Sequence, residues 1–306
     1  MFIAVTIFII LIFLTVNMFS GGGAPRALRE QFYGWYYAED AVTDSLDKPN
    51  SPRAVEKCVN NGIGIKTEIF MSRDRKLFVS AYDNLSKEYG KDIVISQSES
   101  EDVAACGVMT FPQFLQMVDG RVPVVAELKV CDNNERLCRH AADAILAYGH
   151  ENAAVVSFHA GIIAWFKQTE KTIFRGIMSA PAKDFKSLSK VDRFTTGNLV
   201  NNSVCRPQFI LYRNHPESLL VKFALSLGVV TGVWTVTDAR EGKASENKKD
   251  MIVCRAFMPE KPNFKDLPAR EKTQVEINIE QREAEKEARR MAKLEYKLQQ
   301  KENKDK

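Results

Sequence analysis

No CxxC pair occurs in this chain, and none of its six cysteines, Cys58, Cys106, Cys131, Cys138, Cys205 and Cys254, stands at metal-ligand spacing. A cysteine-built metal centre is thereby excluded. The six read as free thiols of a reducing compartment, with Cys131 and Cys138 the pair that would bridge in an exported protein. A basic patch with interleaved aromatics is missing too. The net charge is only +4, and much of the lysine and arginine lies in a mixed-charge tail, so no nucleic-acid footprint is present. The first predicted strand, Trp35–Ala38, is not followed by a glycine-rich phosphate loop, which argues against a dinucleotide-binding doubly wound sheet. The first 19 residues carry no charged side chain; the first charge is Arg26.

That uncharged run, Met1–Phe19, is close to the roughly 20 apolar residues that span a bilayer. It lacks the basic amino end and the good cleavage site of a signal peptide. It therefore reads as an uncleaved transmembrane anchor (residues 1–20), followed by a linker (21–31). Arg26 and Arg29 on its carboxyl side predict a cytoplasmic body. From 267 to the end the chain is dense in Glu, Lys, Arg and Gln. Pairs four apart, Glu285 with Arg289 and Glu302 with Lys306, predict a charged helical tail over 263–306. It reads as a solvated helix or as a contact for a protein partner.

Between them, residues 32–262 alternate strand and helix. Ser51-Pro52 and Thr110-Phe111-Pro112 are helix starts, each a hydroxyl cap followed by a first-turn proline. Strands are predicted at Trp35–Ala38, Gly64–Phe70, Val122–Val130, Ala154–Phe158, Thr172–Met178, Phe209–Arg213, Val229–Val236 and Met251–Arg255. Several are continuous apolar runs, as parallel strands buried on both faces are. A further strand, Leu77–Ala81, follows Gly64–Phe70 after only a short turn, so those two form an antiparallel hairpin. Eight strands plus a hairpin arm, over about 230 residues, match one (β/α)8 TIM barrel; a doubly wound sheet is the alternative. Within Gly64–Phe70, Lys66, Glu68 and Phe70 share one face. Two charges two apart on one strand face need a metal, a ligand or a partner charge, or else are a simple internal pair.

These segments also resemble a known family. FYGWYYA at Phe32–Ala38, NSPRAVEKCVNNGIGIKTEI at Asn50–Ile69, MTFPQFLQMVDGRVPVVAELKV at Met109–Val130, VVSFHAGIIAWFK at Val155–Lys167, FRGIMS at Phe174–Ser179 and VTGVWTV at Val230–Val236 occur in the order of the membrane-anchored bacterial glycerophosphodiester phosphodiesterases. The resemblance implies the TIM barrel of the phospholipase C-like phosphodiesterases and a single-pass location in the bacterial inner membrane. It also implies release of glycerol 3-phosphate from glycerophosphodiesters by two acid/base histidines, with a divalent cation, Ca or Mg, on three carboxylates. That chemistry needs a metal to neutralise the phosphodiester and a proton for the leaving alkoxide.

The matching positions depart from the motifs almost one by one. Glu39-Asp40-Ala41 stands where the family has HRG, with Thr43 near its second histidine. Lys66-Thr67-Glu68 stands for the metal-binding E-x-D. Ala81-Tyr82 stands for the His-Asp that ends the hairpin, with Asp83 adjacent. Only Glu127-Leu128-Lys129 is intact. No confident catalytic residue emerges; Glu39, Asp40 and Ala81 are degenerate positions, and His159, at a strand end, is the substitute. Glu68 and Glu127 remain as metal carboxylates, with the Lys66 ammonium placed to take the cation's role. Lys129 and Trp234 are the candidate substrate contacts.

Three readings follow. The first is an anchored pseudoenzyme, needing no cofactor, that binds a phosphodiester, a phospholipid head group or a protein partner. The second is an active hydrolase with a rearranged site of Glu39, Glu68, Glu127 and His159. The third is an adaptor that works through its tail.

Overall fold

The computed structural model describes residues 2–265; the expected charged helix of the tail and its protein contact lie outside them. Eight parallel strands close into a barrel: β1 (Trp35–Glu39), β2 (Gly64–Met71), β4 (Val124–Leu128), β5 (Ala153–Ser157), β6 (Arg175–Ser179), β7 (Phe209–Arg213), β8 (Val230–Val236) and β9 (Met251–Cys254), with β1 pairing both β9 and β2. The ninth strand, β3 (Leu77–Val79), is antiparallel to β2, with Met71 opposite Leu77 and Ile69 opposite Val79. It is the hairpin arm expected from the short turn. The (β/α)8 TIM barrel is thus the observed class, and the doubly wound alternative falls because the sheet has no parallel edge.

Local chemistry sets the helix starts. The Ser51 hydroxyl accepts from the Ala54 amide at 3.3 Å. Thr110 and Gln113 form a reciprocal capping box ahead of helix Phe111–Val118, satisfying two amides that lack partners within the helix. Each such helix lays an apolar stripe on the barrel's outer face. Val55, Phe114, Leu115, Ala141, Ile145, Ile163 and Phe166 are fully or almost fully buried there, against Ile65, Ala126, Val155 and Ile177 of the strands.

The opposite strand faces fill the barrel interior with Tyr37, Val125, Val156, Met178, Leu211 and Val253. Room for the larger side chains comes from glycine. A β-carbon on Gly176 would stand 2.3 Å from the Phe209 ring, and one on Gly232 would stand 2.3 Å from Leu211. At the amino end of the strands Phe32, from helix Arg26–Phe32, stacks on Phe174 at 5.1 Å, and Phe174 on Phe209 at 4.8 Å. The Tyr37 hydroxyl donates to the Phe32 carbonyl at 2.7 Å. These rings and Tyr37 fill the amino end of the barrel interior.

The amino-terminal helix, Phe2–Phe19, corrects one expectation. Its last turn belongs to the barrel: Phe19 is buried edge-on to Phe223 at 5.7 Å, and Arg206 donates to the Asn17 carbonyl at 2.6 Å. No helix among the described residues is long and apolar enough to cross a membrane. This overturns the expected single-pass location in a bacterial inner membrane with a cytoplasmic body. The following stretch, read as a linker, lies on the barrel base. Gly22 donates to the Pro207 carbonyl at 2.8 Å, and Gln208 holds the Gly23 carbonyl at 2.8 Å.

Candidate functional site

Barrel strands alternate inward and outward, so the residues that end them inward ring the mouth. Here Glu39 ends β1, Glu68 lies near the end of β2, Glu127 lies near the end of β4 with Lys129 just beyond, and Arg255 follows β9. Register places Glu39 beside Lys66 and Glu68 beside Glu127. These side chains meet. The Lys66 Nζ forms an ion pair with Glu127 and lies 3.5 Å from Glu39 Oε1 and 3.6 Å from Glu68 Oε1. Lys129 Nζ reaches Glu127 Oε1 at 2.8 Å and Glu68 Oε2 at 3.0 Å. Lys66 is 1% exposed and Glu127 2%, while Glu39 and Glu68 form the rim at 14% and 17%.

A second arm joins the cluster from β9. Arg255 binds Asp40 Oδ2 at 3.0 Å and lies 3.7 Å from Glu39 Oε2. Asp40 also accepts from Asn50 at 3.3 Å, Asn50 accepts from Thr67 at 2.8 Å, and Glu39 accepts from Thr235 at 2.9 Å. Asp40 and Ala41 both have left-handed backbone, φ 53° and 59°. That conformation is unfavourable for alanine, and it turns the Asp40 carboxylate back towards Arg255.

The cluster sets four carboxylates against three cations. Burial alone would lower the pKa of Lys66, but Glu127, Glu39, Glu68 and Asp40 outweigh it and the ammonium is held above its ordinary range. Glu127 is likewise penalised by burial, and Lys66 and Lys129 pull it below the carboxylate range. Glu68 goes the other way: burial, then the Glu127 charge, push it up to about 7. Asp40 is raised as well, mainly by burial.

These residues do not fit a divalent cation. The oxygens that would have to turn towards Ca or Mg already face the Lys66 ammonium, and among the described residues no group of three or more His, Cys, Asp or Glu is disposed to hold a metal. A divalent ion would have to displace a buried amine held by three carboxylates.

The other expected residues fall elsewhere. Ala81 lies two residues past the hairpin arm as a buried methyl beside the exposed Tyr82. His159 precedes helix Ala160–Thr169, exposed, with its ring over Gly161, and among the described residues its ring has no hydrogen-bond partner. It is therefore not joined to the carboxylates. Trp234 lines the far side of the mouth, with Phe158 edge-on at 5.4 Å, the Arg213 guanidinium 5.8 Å from its ring, and Ser179 O accepting from its indole at 3.1 Å. Phe185 packs edge-on to Phe158 at 6.0 Å. Sequence reasoning missed Arg255, Asn50 and Thr235. Arg255 had a legible signal, since it shares the inward parity of Met251 and Val253.

A closed parallel barrel with its polar cluster at the carboxyl ends of the strands defines a TIM barrel. Solved structures share this fold. A phosphodiesterase from Oleispira antarctica, in complex with sn-glycerol-3-phosphate, is similar with a TM-score of 0.60 and 13% identity, over 74% of this chain and 95% of that one. Glycerophosphodiester phosphodiesterases from Parabacteroides distasonis and Thermotoga maritima each give 0.53 and 17% identity over 72% of this chain, and 93% and 94% of theirs. No family model and no curated protein matches the chain. The chain has a glycerophosphodiester phosphodiesterase-like TIM barrel, as its ordered sequence segments implied.

Proposed function

We propose that this barrel has lost hydrolysis and works as a binding module for a glycerophosphodiester or a phospholipid head group. The observation that carries the reading is Lys66, whose ammonium lies among Glu39, Glu68 and Glu127. A phosphodiester reacts only when its charge is neutralised and its leaving alkoxide is protonated. The cations of the cluster are already paired, and no imidazole is at hand. His140 is on an outer helix, His150 is 3.5 Å from Glu151, His159 is exposed, and Lys183 Nζ lies 2.8 Å from the His215 ring. What the mouth retains is a place to bind. The exposed edges of Lys129 and Arg255 meet the phosphate, and Phe158, Phe185 and Trp234 cover the apolar part. The glycerol 3-phosphate bound by the Oleispira protein supports this ligand class.

A second reading rests on Glu68. A carboxyl with a pKa of about 7 is poised to give and take a proton, so a metal-independent hydrolase would use it as acid and base. One experiment separates the two. The full-length chain is incubated with a panel of glycerophosphodiesters in calcium, magnesium or chelator, and free glycerol 3-phosphate is measured beside calorimetric binding. Saturable binding without release supports the binding module. Release that persists in chelator and is lost in Glu68→Gln supports the hydrolase. Release that depends on metal and on Glu127 overturns both.

A further inference from the structure

A groove of about 950 Å³ lies on the outside of the barrel, away from the charged cluster. Leu77, Phe78 and Leu115 are buried beneath it. Its accessible apolar surface comes from Ala104 and Pro112 on one side and from Ala144, Ala147 and Tyr148 of helix Asn134–Tyr148 on the facing wall. Two features open it. The hairpin arm β3 adds a strand outside the barrel circle, tied to Thr110 by a bridge from Phe78. The alanines opposite leave space that larger side chains would fill.

Charge is sorted along the groove. One end is the hairpin turn, with Arg75 and Lys76; Glu101 also borders that end, which stays net positive. At the other end is Asp119, after the last turn of helix Phe111–Val118, with Asp143 about one and a half turns back from the end of helix Asn134–Tyr148. That end is at the barrel base, where the Gly120 amide donates to the Tyr148 hydroxyl at 2.7 Å. Arg75, Lys76, Asp119 and Asp143 form no ion pair among the described residues. Helix Phe111–Val118, which runs along the groove opposite helix Asn134–Tyr148, has 8 residues, so at a rise of about 1.5 Å per residue the groove runs some 12 Å, rather more than two turns of a helix. A small ligand at one end meets one sign of charge only. A docked helix meets both, and its own dipole, positive at the amino end, matches the order of the charges.

We propose that this groove docks an amphipathic helix of a partner protein. Its basic amino end lies at Asp119 and Asp143, its acidic carboxyl end at Arg75 and Lys76, and its apolar face on Ala104, Pro112, Ala144 and Ala147. This is the helix-in-groove mode of recognition, and it is independent of the mouth.

Two synthetic peptides of identical composition test it, each about 11 residues long with leucines on one face. One has two lysines at its amino end and two glutamates at its carboxyl end; the other has the reverse. Each is labelled and titrated with the full-length chain by fluorescence anisotropy. The first binds at least about tenfold more tightly. A variant carrying Arg75→Glu, Lys76→Glu, Asp119→Lys and Asp143→Lys inverts the preference, so that each peptide serves as its own control for intrinsic helicity. Ala147→Trp, an exposed substitution into the groove, loses both. Equal affinity of either peptide for the wild-type and charge-swapped chains, binding that survives Ala147→Trp, or no binding up to about 1 mM overturns the proposal.

Discussion

The mouth of the barrel has two unlike halves. On the side of β1, β2, β4 and β9, charged groups answer one another: Lys66 with Glu39, Glu68 and Glu127, Lys129 with Glu68 and Glu127, and Arg255 with Asp40. On the side of β5 to β8, Phe158, Phe185 and Trp234 meet edge to face with one exposed arginine, Arg213, beside them. The first half is closed electrostatically, since its cations are committed to carboxylates of the same chain. The second presents flat apolar surface with little polar commitment. Stability should therefore respond most to the buried pair of the charged half, and ligand affinity to the aromatic half and to the exposed edges of Lys129 and Arg255.

The largest effect is expected at the buried pair. Glu127→Ala leaves the Lys66 ammonium without its nearest partner and should cost about 3–5 kcal/mol in denaturant unfolding. Adding Lys66→Met to Glu127→Leu should recover most of that loss, because an apolar pair of similar volume needs no desolvation. If the double variant is no better than the single one, the charged half is not a self-compensating unit.

Next comes pH. The carboxyl of Glu68 has a folded pKa of about 7, above its ordinary value of 4.5. The native state then holds a proton that the unfolded state has released. Glu68 therefore lowers stability progressively as pH rises from about 4.5 to about 7, by an amount on the order of 2–3 kcal/mol. Glu68→Gln should flatten this part of the melting-temperature profile. An unchanged slope would mean that another group, such as Asp40, carries it.

The aromatic half should lose less stability. Trp234→Leu removes the indole hydrogen bond to Ser179 and the edge contact with Phe158, about 1–2 kcal/mol, yet it should weaken glycerophosphodiester binding more than Glu68→Gln does. Smallest is Arg213→Gln. Its pair with Asp184, 3.2 Å long and half exposed at the arginine, is worth under about 1 kcal/mol, so chemical unfolding should barely register it, while calorimetry detects a small loss of ligand affinity through its contact with the Trp234 ring.

The contrast between the halves also explains what could be read from the chain. Continuous apolar strands and capped helix starts depend on neighbours in sequence, so the eight strands and the hairpin were legible. The meeting of Lys66, Glu68 and Glu127 follows from period-two parity in two adjacent strands, and that too could be seen. Arg255, Asn50 and Thr235 join from loops and a strand far along the chain, where only barrel closure brings them near. Hydropathy likewise registers the apolar character of Phe2–Phe19 but not the docking of Phe19 on Phe223, which commits its last turn to protein. The sequence places His159 at the end of its strand, yet the strand stops at Ser157 and the helix start that follows turns His159 to solvent.

The stack of Phe32 on Phe174 at the barrel base has a kinetic consequence. The rings fill the amino end of the interior, and the charged cluster lies at the mouth. A proton that leaves Lys66 or Glu127 meets the rim carboxylates Glu39 and Glu68 first. The rim carboxylates act as sluice keepers. The buried pair should hold its charge on a slower clock than the solvent-facing groups only one residue-step away.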